Sequence, residues 1–196
     1  MPLALLLHGA QGRMGRAIAA AAPEMGARIA AAFDADGDPA ARIGECEVIV
    51  DFSSPAATAG LLELAALHHK PIVIGTTGHE PRAKAELLAT AARVPCVWTG
   101  NFSVGVNLLF ALTRRAARVL GPEYDAEIVE MHHRLKKDAP SGTAARLLEV
   151  IREERRLGAE AARHGRRGIT GERSSAEIGV HSIRGGDVVG DHTVMF

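Results

Sequence analysis

The sequence predicts an α/β protein in which an N-terminal, doubly wound parallel sheet is followed by a smaller C-terminal α+β domain. Three observations predict it. The first half alternates short apolar runs with helical segments, in the order Leu3–His8, Gly12–Ala22, Arg28–Phe33, Val48–Asp51, Pro55–His69, Ile72–Ile74, Pro81–Ala92 and Val94–Thr99. Its strands are apolar at nearly every position, which marks burial on both faces and hence parallel strands covered by helices on each side. After Asn101 that rhythm stops, and a longer helical segment and isolated strands take over.

Right-handed crossovers wind the first five strands into one Rossmann-like sheet. In the second half, Val104–Leu120 reads as a helix and Ala126–Met131 is β-branched enough to be a strand. Gly142 and Thr143 open the periodic helical segment Ala144–Leu157, and an Arg/Gly-rich loop runs from Arg163 to Arg173. The alternating runs Glu177–Arg184 and His192–Phe196 look like antiparallel strands separated by the turn signal Gly185-Gly186-Asp187. A boundary near Ser103 divides residues 1–103, a dinucleotide-binding domain, from 104–196, a substrate-binding domain.

Composition narrows the function. The 196 residues carry equal numbers of acidic and basic side chains, one Trp and one Tyr. Nucleic-acid binding needs a positive field and stacking platforms, and neither is present. Leu3–His8 is far too short to span a bilayer and lacks the basic start of a signal peptide, so neither a membrane nor export is expected. Cys46 and Cys96 are isolated, as in a reducing compartment, and the cytoplasm is the expected location. The nine histidines form no HxxxH pair on a helix, so no metal site is expected.

The first strand–turn–helix unit carries Gly9-Ala10-Gln11-Gly12-Arg13-Met14-Gly15. Gly9 permits a tight turn, Gly12 lets pyrophosphate approach the helix N-terminus, and Gly15 allows close helix–sheet packing. Asp34, about twenty residues beyond the last glycine, sits where a carboxylate accepts from ribose hydroxyls. That carboxylate repels a 2′-phosphate, while Arg13 partly compensates, so NADH is the expected preference with NADPH also accepted. Gly75-Thr76-Thr77-Gly78 and Thr99-Gly100-Asn101-Phe102-Ser103 follow two further strands, at the sheet edge where a nicotinamide ring is approached.

The richest run is His132-His133-Arg134-Leu135-Lys136-Lys137-Asp138-Ala139-Pro140-Ser141-Gly142-Thr143. It places a proton donor, mobile ammonium groups and an anion-cradling turn between a strand and a helix N-terminus, which suits a small, multiply negative substrate. Strand geometry points neighbours to opposite faces, so His132 and His133 meet one ligand only if the strand ends there, as is expected. Arg163, Arg166, Arg167 and Arg173 read as a mobile loop that closes over such a substrate.

Taken together, these segments resemble the 4-hydroxy-tetrahydrodipicolinate reductase family of diaminopimelate and lysine biosynthesis, formerly called dihydrodipicolinate reductase. The resemblance spans the chain and rests on the glycine motif from Gly9 to Gly15, Asp51 to Pro55, Gly75 to Gly78, Asn101 to Val106, Glu130 to Ala144, Gly171-Glu172-Arg173 and Arg184 to Thr193. It implies that His132 is the proton donor, Lys136 its catalytic companion, and His133, Gly142 and Thr143 the holders of the substrate carboxylates. It implies dinucleotide contacts from Gly9, Ala10, Gln11, Gly12, Arg13, Met14, Asp34, Gly75, Thr76, Thr77, Thr99, Gly100, Asn101 and Phe102. It also implies a homotetramer packed through the second domain. Two departures stand out: the segment between Asp36 and Glu47 is short, and the chain stops at Phe196 inside an apolar run, as a truncated form would.

The chemistry agrees with those roles. Reducing a conjugated cyclic imine delivers hydride to one carbon and a proton to its neighbour, so the site needs a positioned acid and a grip on two carboxylates. Alternatives are an oxidoreductase acting on another small dicarboxylate and a non-catalytic nucleotide sensor. A sensor has no use for His132, Lys136 and the Ser141-Gly142-Thr143 turn together, and another oxidoreductase has no need of both His132 and His133.

Overall fold

A computed structural model describes residues 1–196, which form two compact units, Met1–Gly100 and Asn101–Phe196. The first contains strands β1 (Leu3–His8), β2 (Ala27–Phe33), β3 (Val48–Asp51), β4 (Ile72–Ile74) and β5 (Cys96–Trp98). They form one parallel sheet in the order β2-β1-β3-β4-β5. Helices α1 (Arg13–Ala21), α2 (Pro55–Leu67) and α3 (Pro81–Ala91) make the crossovers. Leu6, Ile49, Ile72 and Ile74 pack with Leu61 and Leu62 of α2, while Leu5, Leu7 and Val50 pack with Ile18 of α1. Consecutive residues of β1 and β3 therefore feed different clusters, which is why these strands are apolar throughout. Full burial of each such side chain contributes roughly 2 kcal/mol. The short segment after Asp36 holds one irregular 3-10 stretch, Pro39–Glu45, pinned by buried Ile43.

The chain runs from β1 outward to β2 and returns to the other side of β1 as β3, so the topological switch lies between β1 and β3. Ligands of such sheets bind at the carboxyl ends of the strands at that point. Gly9 and Phe52 sit there, each just past its strand.

The second unit begins with α4 (Val104–Leu120), whose first turn is capped by the Ser103 hydroxyl accepting from the Val106 N–H at 3.3 Å. Strand β6 (Ala126–His132), helix α5 (Gly142–Arg155) and strands β7 (Ala162–His164), β8 (Ile178–Arg184) and β9 (Asp191–Met195) follow. The sheet order is β7-β8-β6-β9, with β6 parallel to β8 and antiparallel to β9. One face carries the core, where Ile128, Ile178 and Val180 meet Leu147 and Ile151 of α5 and Ala117 of α4.

Two expectations need correction. β8 and β9 do run in opposite directions, but they are not a hairpin, because β6 lies between them and pairs with both. The Gly185-Gly186 turn serves the end of β6 instead: Gly185 N–H donates to the His132 carbonyl at 3.0 Å and Arg134 N–H to the Gly186 carbonyl at 3.1 Å. Secondly, the Arg-rich segment contains a strand, β7, whose pairing with β8 fixes Arg163 in register with Gly179.

Candidate active site

In the first unit the glycine turn is a backbone cradle. Gly9 has φ +85°, and a Cβ there would collide with the Phe52 carbonyl; a Cβ on Gly15 would collide with the Gly9 carbonyl. Gly9 N–H and Ala10 N–H donate to the Phe33 carbonyl at 2.9 and 3.1 Å, tying the turn to the end of β2. Gly12 is the N-cap of α1, with no side-chain cap and no acidic residue in the first turn. Helix geometry leaves the first N–H groups without intrahelical acceptors, which suits a pyrophosphate. Arg13 and Met14 are exposed beside it. The Asp34 carboxylate accepts from Gln11 N–H at 3.2 Å to both oxygens, so it stands against the turn itself.

The other strand ends are knitted by a residue that sequence reasoning left without a role. Asp51 is fully buried at the end of β3. It accepts from Ser53 N–H at 3.0 Å, the Ser53 hydroxyl at 2.5 Å, the Thr58 hydroxyl at 2.9 Å and the Thr76 hydroxyl at 2.9 Å. Four donors compensate the cost of burying that carboxylate and lock the Gly75–Gly78 loop to β3 and α2. Of the loop's two threonines, Thr76 thus spends its side chain inward, while Thr77 is exposed. Gly75 makes way for the Phe52 ring. Thr99 donates its N–H to the Ile74 carbonyl at 3.1 Å, and Gly100 follows, exposed. Burial pushes the neighbouring His79 imidazole below its ordinary value.

In the second unit the run from Glu130 to Thr143 closes into one constellation. β6 ends at His132, and Lys136 N–H donates to the His133 carbonyl at 3.1 Å, so the chain turns immediately after the strand. Side chains alternate along β6, which puts Ile128, Glu130 and His132 on the face that carries the core. Register completes the group, because Arg184 of β8 stands beside His132 and His192 of β9 stands opposite Glu130. Glu130 Oε2 accepts from His132 Nδ1 at 2.5 Å and from Arg184 Nη1 at 2.8 Å. Its Oε1 accepts from Arg184 Nη2 at 2.7 Å and from Ser141 N–H at 3.1 Å.

Burial alone would raise the Glu130 carboxyl, but hydrogen bonds from Arg184, Ser182, His132 and Ser141 outweigh it and hold it at about 2. The Ser141 hydroxyl accepts from Ala144 N–H at 3.2 Å as the N-cap of α5 and lies 3.0 Å from His192 Nε2. Burial, then the charge of His132, push the His192 imidazole down. The His132 and His192 rings meet edge to face, with centroids 5.1 Å apart.

Around this hub stand the remaining expected substrate contacts. His133 Nδ1 is buried with no hydrogen-bond partner. Lys136 Nζ lies 2.9 Å from the Asp138 carboxylate, and its charge also depresses His192. Helix geometry leaves the Gly142 and Thr143 N–H groups open at the start of α5. The Asn101 amide donates to the Thr143 hydroxyl at 3.3 Å, which joins an expected cofactor contact to an expected substrate contact within one unit. Exposed Phe102 follows Asn101 directly.

Comparisons with known proteins identify the family. The model of the dihydrodipicolinate reductase N-terminus matches residues 3–102 and that of its C-terminus matches residues 105–196. The chain belongs to the dihydrodipicolinate reductase family. It is 45% identical to the 4-hydroxy-tetrahydrodipicolinate reductase of Akkermansia muciniphila, covering 99% of this chain and 80% of that protein. It is 44% identical to the enzyme of the same name from Aromatoleum aromaticum, covering 100% and 80%. A dipicolinate-bound dihydrodipicolinate reductase from Paenisporosarcina sp. shares the fold, with a TM-score of 0.72 at 22% identity over all of this chain and 83% of that one. This reductase is accordingly an NAD(P)H-dependent oxidoreductase of diaminopimelate and lysine biosynthesis. No helix in it is long and apolar enough to cross a membrane.

Sequence reasoning gave no role to Glu130, Arg184, His192 and Asp51, although all four lie in the segments that carry the family resemblance. Glu130 carried one local signal, its spacing of two from His132 on a strand. The other partners are distant in sequence and meet only through register. The Arg-rich segment has a different use from the one expected. Arg166 pairs with Glu127 and Glu177, and Arg173 with Asp125 and Glu127, because β7 holds the segment against the opposite face of the sheet.

Proposed function

We propose that this reductase converts 4-hydroxy-tetrahydrodipicolinate to tetrahydrodipicolinate, with His132 as the proton donor. The substrate loses water and gains one hydride and one proton. A bound reduced nicotinamide supplies the hydride, and the backbone cradle at Gly9, Ala10, Gln11, Gly12, Arg13 and Met14 is suited to hold its pyrophosphate. The Gly75-Thr76-Thr77 loop and the Thr99-Gly100-Asn101-Phe102 segment would flank its ring. His133, with its orphaned Nδ1, and the open N–H groups of Gly142 and Thr143 would take the two carboxylates. Lys136 would stabilise negative charge developing on the ring nitrogen.

The observation that carries this reading is the pairing of His132 Nδ1 with buried Glu130 beside the α5 turn. It leaves Nε2 as the nitrogen that can give up a proton. Asp34, standing against the glycine turn, supports NADH as the preferred cofactor with NADPH accepted through Arg13.

The decisive experiment follows loss of reduced-nicotinamide absorbance with freshly made substrate. His132→Gln should lower kcat about 100-fold or more while leaving NADH affinity unchanged. Turnover surviving within a few-fold would place the acid elsewhere. Pyridine-2,6-dicarboxylate should compete with substrate, and a kcat/KM with NADPH well above that with NADH would overturn the cofactor preference.

A further inference from the structure

We infer that Glu130, clamped by Arg184, is the positioning residue of the reaction: it fixes which nitrogen of His132 faces the substrate and hangs the substrate-binding turn on the same carboxylate. The inference rests on His132 being the acid.

An ionised carboxylate only accepts hydrogen bonds. Glu130 is fully buried and receives both Arg184 nitrogens, so it is ionised and can bond to His132 only if Nδ1 carries a hydrogen. Nε2 is then the exchanging site. When the imidazolium gives its Nε2 proton to the substrate carbon next to the one taking hydride, the ring is left neutral with the Nδ1–H···Glu130 bond intact, and water restores the proton at Nε2. The ring neither rotates nor changes tautomer during the cycle. Gly190 keeps that side of the ring clear, since a Cβ there would lie 2.8 Å from Nε2.

An ion pair serving stability alone would be complete with Arg184. Here the carboxylate's remaining capacity goes to two further groups, His132 Nδ1 and the Ser141 N–H that opens the turn before Gly142 and Thr143. Arg184 in turn donates to the Asp138 carbonyl at 2.7 Å, so the loop bearing Lys136 is held by the same guanidinium. Acid, cation-bearing loop and anion turn therefore share one anchor, and a displacement of Glu130 would move all three.

The test is a double-mutant cycle with Glu130→Gln and His132→Gln, reading kcat, both KM values and NADH binding. Gln keeps the shape but can present an amide N–H to Nδ1, which favours the wrong tautomer. Glu130→Gln should lower kcat at least about tenfold, with NADH binding within about twofold of wild type. The double variant should be no slower than His132→Gln, within about twofold. Multiplying effects, or a wild-type kcat in Glu130→Gln, would overturn the inference while leaving His132 as the acid. An active His132→Gln would instead overturn the underlying reading. If Glu130→Gln fails to fold, nitrogen-15 spectra of the wild-type protein decide the matter. They should show neutral His132 protonated at Nδ1, and an Nε2–H tautomer refutes the proposal.

Discussion

Glu127 and Glu130 lie three residues apart on one strand, carry the same side chain and have carboxyls held at the same low value of about 2, yet they do different work. Three residues along a strand means opposite faces. Burial would raise Glu127, but Arg166, His181 and Arg173 overcome it from the solvent side, and the group braces the segment around β7. Glu130 is fully buried between the core and the site, and one of its partners is His132, the proposed acid. Depth and choice of partners, not titration, separate a scaffold carboxylate from a working one.

Removing the cation breaks this likeness most sharply. Arg184→Met would leave a buried carboxylate with His132, Ser141 and Ser182 as its remaining partners, and should lower the urea midpoint sharply. Arg166→Met should shift the urea midpoint only slightly, since Glu127 is 21% exposed and keeps Arg173 and His181. Equal losses would mean that burial does not distinguish the two sites.

Acid titration should show the likeness instead. The ordinary glutamate value is 4.5, and both folded values are lower, so each carboxylate stabilises the fold above pH 4.5 and loses that contribution as pH falls toward 2. The loss is about 3 kcal/mol for each at most. Unfolding free energies between pH 5 and pH 3 should drop steeply for wild type and less steeply for Glu127→Gln and Glu130→Gln. A wild-type slope retained in either variant would remove that residue from the account.

Much of this arrangement was legible in sequence, and the reason some was not is physical. Elements were readable wherever the signal was local: the apolar run Leu3–His8 and the helix Val104–Leu120 fall where periodicity put them. The glycine turn after β1 was legible because an apolar strand precedes it and an Ala-rich helix follows it. What escaped was pairing. Gly185-Gly186-Asp187 has the chemistry of a hairpin turn, but β6 takes the place between β8 and β9, a choice made by partners more than forty residues away. The Glu130–Arg184 clamp is hidden for the same reason, because two strands must be in register before a glutamate and an arginine 54 positions apart can meet.

Two glycines sharpen the contrast further. Gly190 makes room for the His132 ring, and Gly179 of β8 makes room for the Glu127 carboxylate. Gly190→Ala should push the imidazole from its place and lower kcat about tenfold, with stability changed by about 1 kcal/mol. Gly179→Ala should displace Glu127, cost comparable stability and leave kcat near wild type. A Gly179 variant as slow as the Gly190 variant would show that the two faces of β6 communicate.

The smallest effect is the most exacting. Glu127→Gln removes a charge three residues from the proposed anchor but keeps the side chain's volume, and Arg166 still has Glu177 to pair with. If only the core-facing side of β6 reaches the acid, its kcat should stay within about twofold of wild type, against at least about tenfold for Glu130→Gln. Steady-state rates measured side by side on the two variants decide it. A Glu127→Gln enzyme slowed as much as Glu130→Gln would mean that strand β6 responds to charge as a whole, and the identity of the carboxylate beside His132 would then carry no special weight.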